Sequence, residues 1–234
     1  IMRNGEVIDS CSTENQTAKS LATKMLGQKL EELKTDYTNI KDTINFKASK
    51  ISCSFNDPFF TDLKNISFEV KEGEIFGIAG VAGNGQSELM DILIGENNSI
   101  DSGEIIYKNT NIESFNPQKR RDLSIAFVPE NRLGHSAVPE LTLSENILLS
   151  QFPNNNFTNH GILNKNFIED HANEVIDNFN VVTPGSDAKA SSLSGGNLQK
   201  FVIGREISSN PKLLIISHPT WGIDAGAEYS IRQS

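Results

Sequence analysis

The sequence predicts an α/β fold with a parallel core, and three observations predict it. Short apolar runs that suit buried strands alternate with stretches of helical periodicity. A glycine-rich loop stands between one such run and the helix after it. A second helix opens on Ser194-Gly195-Gly196 and precedes another apolar run by about 20 residues.

Taken in order, residues 1–9 read as a strand pair turning at Asn4-Gly5. Residues 17–26 carry apolar side chains at 18, 21, 22, 25 and 26, the spacing of a helix that Gly27 would stop. Residues 31–46 are polar without a clear period, which is linker composition. From about Phe46 a new unit begins. Residues 51–55 and 63–70 alternate like antiparallel edge strands, a turn follows at Lys71-Glu72-Gly73, and 74–80 is a short apolar strand. A helix over 87–94 leads to strands over 103–107 and 125–128, the second buried and closed by Pro129. Residues 143–149 and 166–179 are helical; in the second, 168, 172, 175, 176 and 179 share one face. A helix over 197–207 and a fully apolar strand over 213–216 complete the pattern, and the helical stretch 139–188 reads as an insertion between core elements.

Composition narrows the function. The 234 residues carry 21 Lys plus Arg against 30 Asp plus Glu, a net charge of −9 that disfavours nucleic acid as a partner. No apolar run approaches the roughly 18 residues of a membrane helix. Cys11 and Cys53 lack metal-ligand spacing and are expected as reduced thiols, Cys53 in the core. The opening Ile1-Met2-Arg3 and the close at Gln233-Ser234 inside a helical pattern suggest a segment cut from a longer polypeptide.

Gly80-Val81-Ala82-Gly83-Asn84-Gly85-Gln86-Ser87 follows a strand and opens a helix, the context of a phosphate loop. A plain strand-to-helix turn that needs glycine is the other reading. A dinucleotide loop is disfavoured because Glu88 stands at its third glycine. The usual loop lysine is replaced by Gln86, which can donate hydrogen bonds but brings no charge. Leu193-Ser194-Gly195-Gly196-Asn197 presents an N-cap and open backbone N–H groups, a second anion-binding pattern.

With these motifs in this order, the chain resembles the ATP-binding cassette family, whose signature is Leu-Ser-Gly-Gly-Gln. The phosphate loop at 80–87, Val128-Pro129-Glu130 at the Q-loop position, the signature at 193–199, the Walker B region at 213–219 and Gly222-Ile223-Asp224 as D-loop fall at family spacing. More narrowly, GVAGNGQSE over 80–88 and Pro219-Thr220-x-Gly222-Ile223-Asp224 resemble the second cassette of tandem-cassette sugar and nucleoside importers. Residues 1–30 resemble the tail of the first cassette. The resemblance implies a P-loop NTPase core with an antiparallel β-subdomain and an inserted helical subdomain. It divides the chain into 1–30, a linker over 31–46, and a second cassette over 47–234. It further implies ATP and Mg²⁺ as ligands, Gly80, Gly83, Asn84, Gly85, Gln86, Ser87 and Phe55 as nucleotide-binding groups, and Ser87 with Glu130 as weak metal donors. The implied partners are a first cassette, membrane permease subunits and, indirectly, a solute-binding protein, with the chain peripheral on the cytoplasmic face of the cell membrane.

The departures from that pattern carry the functional expectation. An active Walker B strand ends in Asp-Glu, the first holding Mg²⁺ and the second polarising water; here Ser217 and His218 follow Ile216. Glu130 replaces the Q-loop glutamine, placing a carboxylate near the metal. This half-site is therefore expected to hydrolyse little or no ATP, while its intact signature closes over nucleotide held by the partner cassette. The Ser217-His218 pair leans towards the nucleoside branch. A non-hydrolysing regulatory or scaffold module is the rival reading. Phe55 is expected either to stack on adenine or to pack, with Phe59 and Phe60 as rivals, and Trp221 either to meet the partner cassette or to be half-exposed. Lys119-Arg120-Arg121 is expected as a solvated face, and His135, His160 and His171 as surface residues.

Overall fold

The computed structural model describes residues 1–3, 5–27, 40–151, 157–221, 223, 228 and 231. Strands β1 (Met2–Arg3) and β2 (Glu6–Val7) pair antiparallel, and helix α1 (Ala18–Leu26) follows. Thr17 and Ser20 cap α1 reciprocally, and Gly27 closes it at φ 76°. Most of the expected linker, 31–39, lies outside the described residues, and its last three residues open β3 (Ile44–Cys53). They belong to a strand because Ile44 pairs with Lys71 and Phe46 is buried in the core beneath.

β3 lies between β4 (Leu63–Lys71) and, after helix α2 (Gln86–Ile94), β5 (Ser102–Tyr107); β6 (Thr110–Asn111) extends this antiparallel sheet. The segment expected as an edge strand is thus an inner one, with Ile51 fully buried. Helix α3 (Pro117–Asp122) leads into β7 (Ile125–Val128), buried along its whole length. Helix α4 (Leu143–Gln151), the short pair β8 (Thr158–Asn159) and β9 (Ile162–Leu163), and helix α5 (Lys165–Asn178) follow. Ile168, Ala172 and Val175 of α5 turn inward onto α6 (Gly195–Ser208), the face the sequence spacing predicts. β10 (Leu213–Ile216) then runs parallel to β7 in the register Leu213↔Ile125 to Ile216↔Val128. That pair is the parallel core.

Other expectations fail as well. Residues 74–80 form no strand; Ile75 is 86% exposed and no described residue pairs with the segment. An extended run becomes a strand only when its N–H and C=O groups find a ladder. Nor is Lys119-Arg120-Arg121 a solvated face. Arg120 is fully buried and donates to the carbonyls of Phe115, Ile92, Ile112 and Glu113, cross-bracing α2 and α3. Burial lowers its pKa to about 10. Arg121 pairs with Glu206 at 2.6 Å and lies over the Phe127 ring. His171 also departs from a surface role, being half-buried, stacked on Phe167 and bonded to Gln151 at 3.0 Å.

Candidate functional site

The glycine-rich loop ends at the N-terminus of α2. Gly83 and Gly85 take φ 85° and 97°, a region that glycine enters without steric cost, so successive N–H groups curl inward. The loop is stapled by Thr61, two residues before β4: Thr61 Oγ1 donates to the Gly83 carbonyl and Thr61 N–H donates to Glu88 Oε1, both at 2.9 Å. Glu88 is buried here, in a positioning role that nothing in the sequence pattern marks.

Gln86 folds back into the loop. Its Nε2 donates to the Val81 carbonyl at 3.1 Å, and its Oε1 accepts the Asn84 N–H at 3.2 Å. A Cβ on Gly80 would collide with that Nε2, so the amide fits because Gly80 has no side chain. A lysine could make the first bond but has no acceptor for the second. The loop is therefore closed on its own side chain, and one N–H that could meet a phosphate oxygen is already taken.

Beside the loop lies a cavity of about 180 Å³ whose polar lining includes Ser87, Asp91, Glu96, Glu130, His135 and Ser217. Ser217 reaches it because its N–H donates to the Val128 carbonyl at 2.9 Å, continuing the β10–β7 ladder up to Pro129-Glu130. Three of the expected groups, Ser87, Glu130 and Ser217, are thus brought together. Asp91 and Glu96, unremarked in the sequence, add two more carboxylates. Burial first and Glu96 second push the Asp91 carboxyl above its ordinary value, against the pull of His135. His135 closes one wall by pairing with Glu96 at 2.6 Å. The donor set is all oxygen apart from His135, which suits Mg²⁺. Among the described residues no group of three or more His, Cys, Asp or Glu could hold a metal ion by itself, so a cation here would need ligands from elsewhere. His218 does not line the cavity. It is exposed, in the left-handed region at φ 46°, with its ring 5.4 Å from that of Trp221. A larger cavity of about 250 Å³, beside Arg121, Ser124 and Ser150 at the other end of β7, contains none of these groups.

Phe55 is half-buried against the antiparallel sheet, and its ring stacks on that of Phe60 with centroids 5.5 Å apart. Phe59 is 92% exposed.

The signature occupies the N-terminus of α6. Ser194 Oγ accepts the Asn197 N–H at 3.4 Å and Asn197 Nδ2 at 3.0 Å, while Asn197 Oδ1 accepts the Val182 N–H at 3.0 Å. Asn197 thereby ties the cap to the chain following α5. Leu193 packs into the core, Gly196 is half-buried, and Ser194 and Gly195 are exposed. Of the D-loop expectation, Ile223 packs on the same core, and Gly222 and Asp224 lie outside the described residues.

With this geometry in place, comparison with known proteins is informative. The family described as ABC transporter matches residues 63–221. The chain is 38% identical over 97% of its length to the nucleoside import ATP-binding protein NupA of Lactococcus lactis subsp. cremoris (strain MG1363). It is 34% identical over 97% of its length to the guanosine import ATP-binding protein NupO of Bacillus subtilis (strain 168). It spans 44% of the length of each of these relatives. Among solved structures, the dimeric post-hydrolysis state of the ATP-binding cassette MJ0796 bound to ADP and Pi superposes with a TM-score of 0.68 at 25% identity, covering 80% of both chains. Family match, relatives and architecture agree: the chain belongs to the ABC transporter family and has the P-loop NTPase fold of its ATP-binding cassettes.

Proposed function

We propose that residues 47–234 are the second of two cassettes in one polypeptide, joined through a linker over 31–46 to the tail of the first at 1–30. Residues 139–188 form its helical subdomain. It couples ATP to the import of a sugar or nucleoside through membrane permease subunits fed by a solute-binding protein, on the cytoplasmic face of the membrane. The names of NupA and NupO favour a nucleoside.

In this reading the two anion sites of the chain do different work. The phosphate loop with Gly80, Gly83, Asn84, Gly85, Gln86 and Ser87 binds ATP weakly. Glu130 and Ser217 help to hold Mg²⁺ through its phosphate shell, and neither Ser217 nor His218 activates water. Ser194 and Gly195 instead present their N–H groups to nucleotide bound by the first cassette, and Gly222, Ile223 and Asp224 lie along that interface. The observation that carries this division is the contrast between a loop closed by Gln86 and a signature left open at the start of α6.

The test is turnover by this chain alone. It should bind MgATP in equilibrium dialysis and release no phosphate above background, because loss of a positioned base costs about 10²–10⁴-fold. Robust Mg²⁺-dependent hydrolysis by the isolated chain would overturn the division of labour.

A further inference from the structure

At the end of β7 away from the phosphate loop, α3, α4 and α6 meet around the cavity of about 250 Å³. Its polar lining comes from Arg121 and Asp122 of α3, Ser124 just before β7, Ser150 and Gln151 at the end of α4, and Ser209 after α6.

The buried charges beside this cavity do not cancel. Arg121 Nη1 and Arg205 Nη2 lie 2.6 and 2.8 Å from the carboxylate of Glu206. Burial would raise that carboxyl, but the two arginines hold it below its ordinary value, so it is ionised at neutral pH. Guanidinium groups are charged there as well. Two cations thus share one carboxylate, with the Arg121 side chain 14% exposed and the other two almost fully buried. A net charge held away from water is unfavourable unless an opposite charge reaches it. Arg205 is saturated, since it also donates to the carbonyls of Asn146 and Ser136. Arg121 is not. One of its five N–H groups donates to Glu206, and its plane lies 3.9 Å from the centre of the Phe127 ring. The rest of its fork meets no acceptor among the described residues, and the residue lines the cavity.

Ser150 adds an orphaned donor to the same lining. It is 8% exposed, and its hydroxyl has no hydrogen-bond partner among the described residues. A helical serine can donate to a carbonyl one turn back, and an unpaired buried hydroxyl is both destabilising and uncommon. Gln151, its neighbour, is fully engaged with Arg205, Ser208 and His171. Ser124 and Ser209 bring two more hydroxyls at the exposed rim. Asp122, the one carboxylate of the described lining, is exposed and accepts Gln118 Nε2 at 3.1 Å.

A guanidinium fork can hold two oxygens of a phosphoryl group, and a hydroxyl beside it suits a third. A planar carboxylate has only two oxygens to offer. The cavity is smaller than the roughly 300–1,000 Å³ that drug-sized ligands occupy, which limits what the phosphoryl group can carry. We propose that this cavity is a second anion site, distinct from the phosphate loop, in which Arg121 and Ser150 bind a phosphoryl group, free or carried on a small molecule.

Titration calorimetry on the whole chain, in phosphate-free buffer, tests this with inorganic phosphate, ribose 5-phosphate and acetate. Wild type should bind a phosphoryl probe saturably in the millimolar range and acetate about 10-fold more weakly. The tighter of the two phosphoryl probes tells whether the group arrives free or esterified. Ser150→Ala should keep the wild-type melting temperature, because its hydroxyl has no partner to lose, and should weaken the phosphoryl probe about 10-fold. Arg121→Gln should abolish binding, and Asp122→Asn should tighten it severalfold by removing the rim carboxylate. Wild-type affinity in Ser150→Ala overturns the proposal, since the anion then sits elsewhere, the phosphate loop included. Acetate binding as tight as both phosphoryl probes, or no saturable binding of either, overturns it equally. Should Arg121→Gln fail to fold, Ser150→Ala decides alone.

Discussion

Gln86 shows how one residue can change both states of a site. Here it satisfies the Asn84 N–H and the Val81 carbonyl, and in a phosphate complex it would offer only a neutral donor. Charge-assisted hydrogen bonds contribute about 1.5–3 kcal/mol against about 1 kcal/mol for neutral ones. Gln86→Lys should therefore tighten MgATP binding by this chain about 10-fold. It should produce no phosphate release, because Ser217 and His218 are unchanged; titration calorimetry and a phosphate assay check the two halves. At this scale the sequence showed the missing charge but not the refolded amide, because that depends on the space beside Gly80. It also misread Arg120 and Arg121. A run of cations usually marks solvent, and only the packing of α2, α3 and α6 reveals the carbonyls and the carboxylate that these two side chains reach.

Among the elements, α6 carries the most consequence. Its first residues are the signature, its middle holds Gln199, and its last turns hold Arg205 and Glu206 in the core. Burial alone would raise the Glu206 carboxyl, but Arg205 and Arg121 outweigh it and keep the pKa below the ordinary carboxylate value of 4.5. A depressed carboxyl adds stability that is complete above the unfolded value and lost as pH falls through the folded one. The network should thus hold at neutral pH and loosen only below about pH 4.5. Glu206→Gln leaves the buried Arg205 and the half-buried Arg121 without their carboxylate, so it should cost about 3–5 kcal/mol at pH 7 and much less in acid. Urea unfolding at both pH values checks the difference. Helices of this kind were legible because caps and 3.6-residue spacing are local: Thr17 and Gly27 bracket α1, and Ser194 starts α6. β7 and β10 were legible as short apolar runs. Residues 74–80 were not, since a strand is a property of two segments and the sequence displays only one.

At the scale of the whole molecule, the question is which anion site matters when two cassettes work together. Gly195 is exposed at the start of α6, where, on the reading proposed above, Ser194 and Gly195 offer backbone donors to a partner's phosphate. Gly195→Asp would set a carboxylate in the path of that phosphate. The new side chain would also meet Nη1 of Arg132, which reaches the start of α6 from the loop after β7. Gly195→Ala is the control, because its methyl displaces only the flexible tip of Arg132 and brings no charge. In the full tandem protein assembled with its permease, Gly195→Asp should lower ATP hydrolysis by about two orders of magnitude or more, the scale of losing oxyanion-type donors. Gly195→Ala should fall between that variant and wild type. Gln86→Ala opens a loop that already lacks charge and should change hydrolysis by less than about 10-fold. Steady-state rates for the three variants in one background decide the matter. Greater damage from Gln86→Ala than from Gly195→Asp would mean that this chain's own phosphate loop, and not its signature, limits turnover.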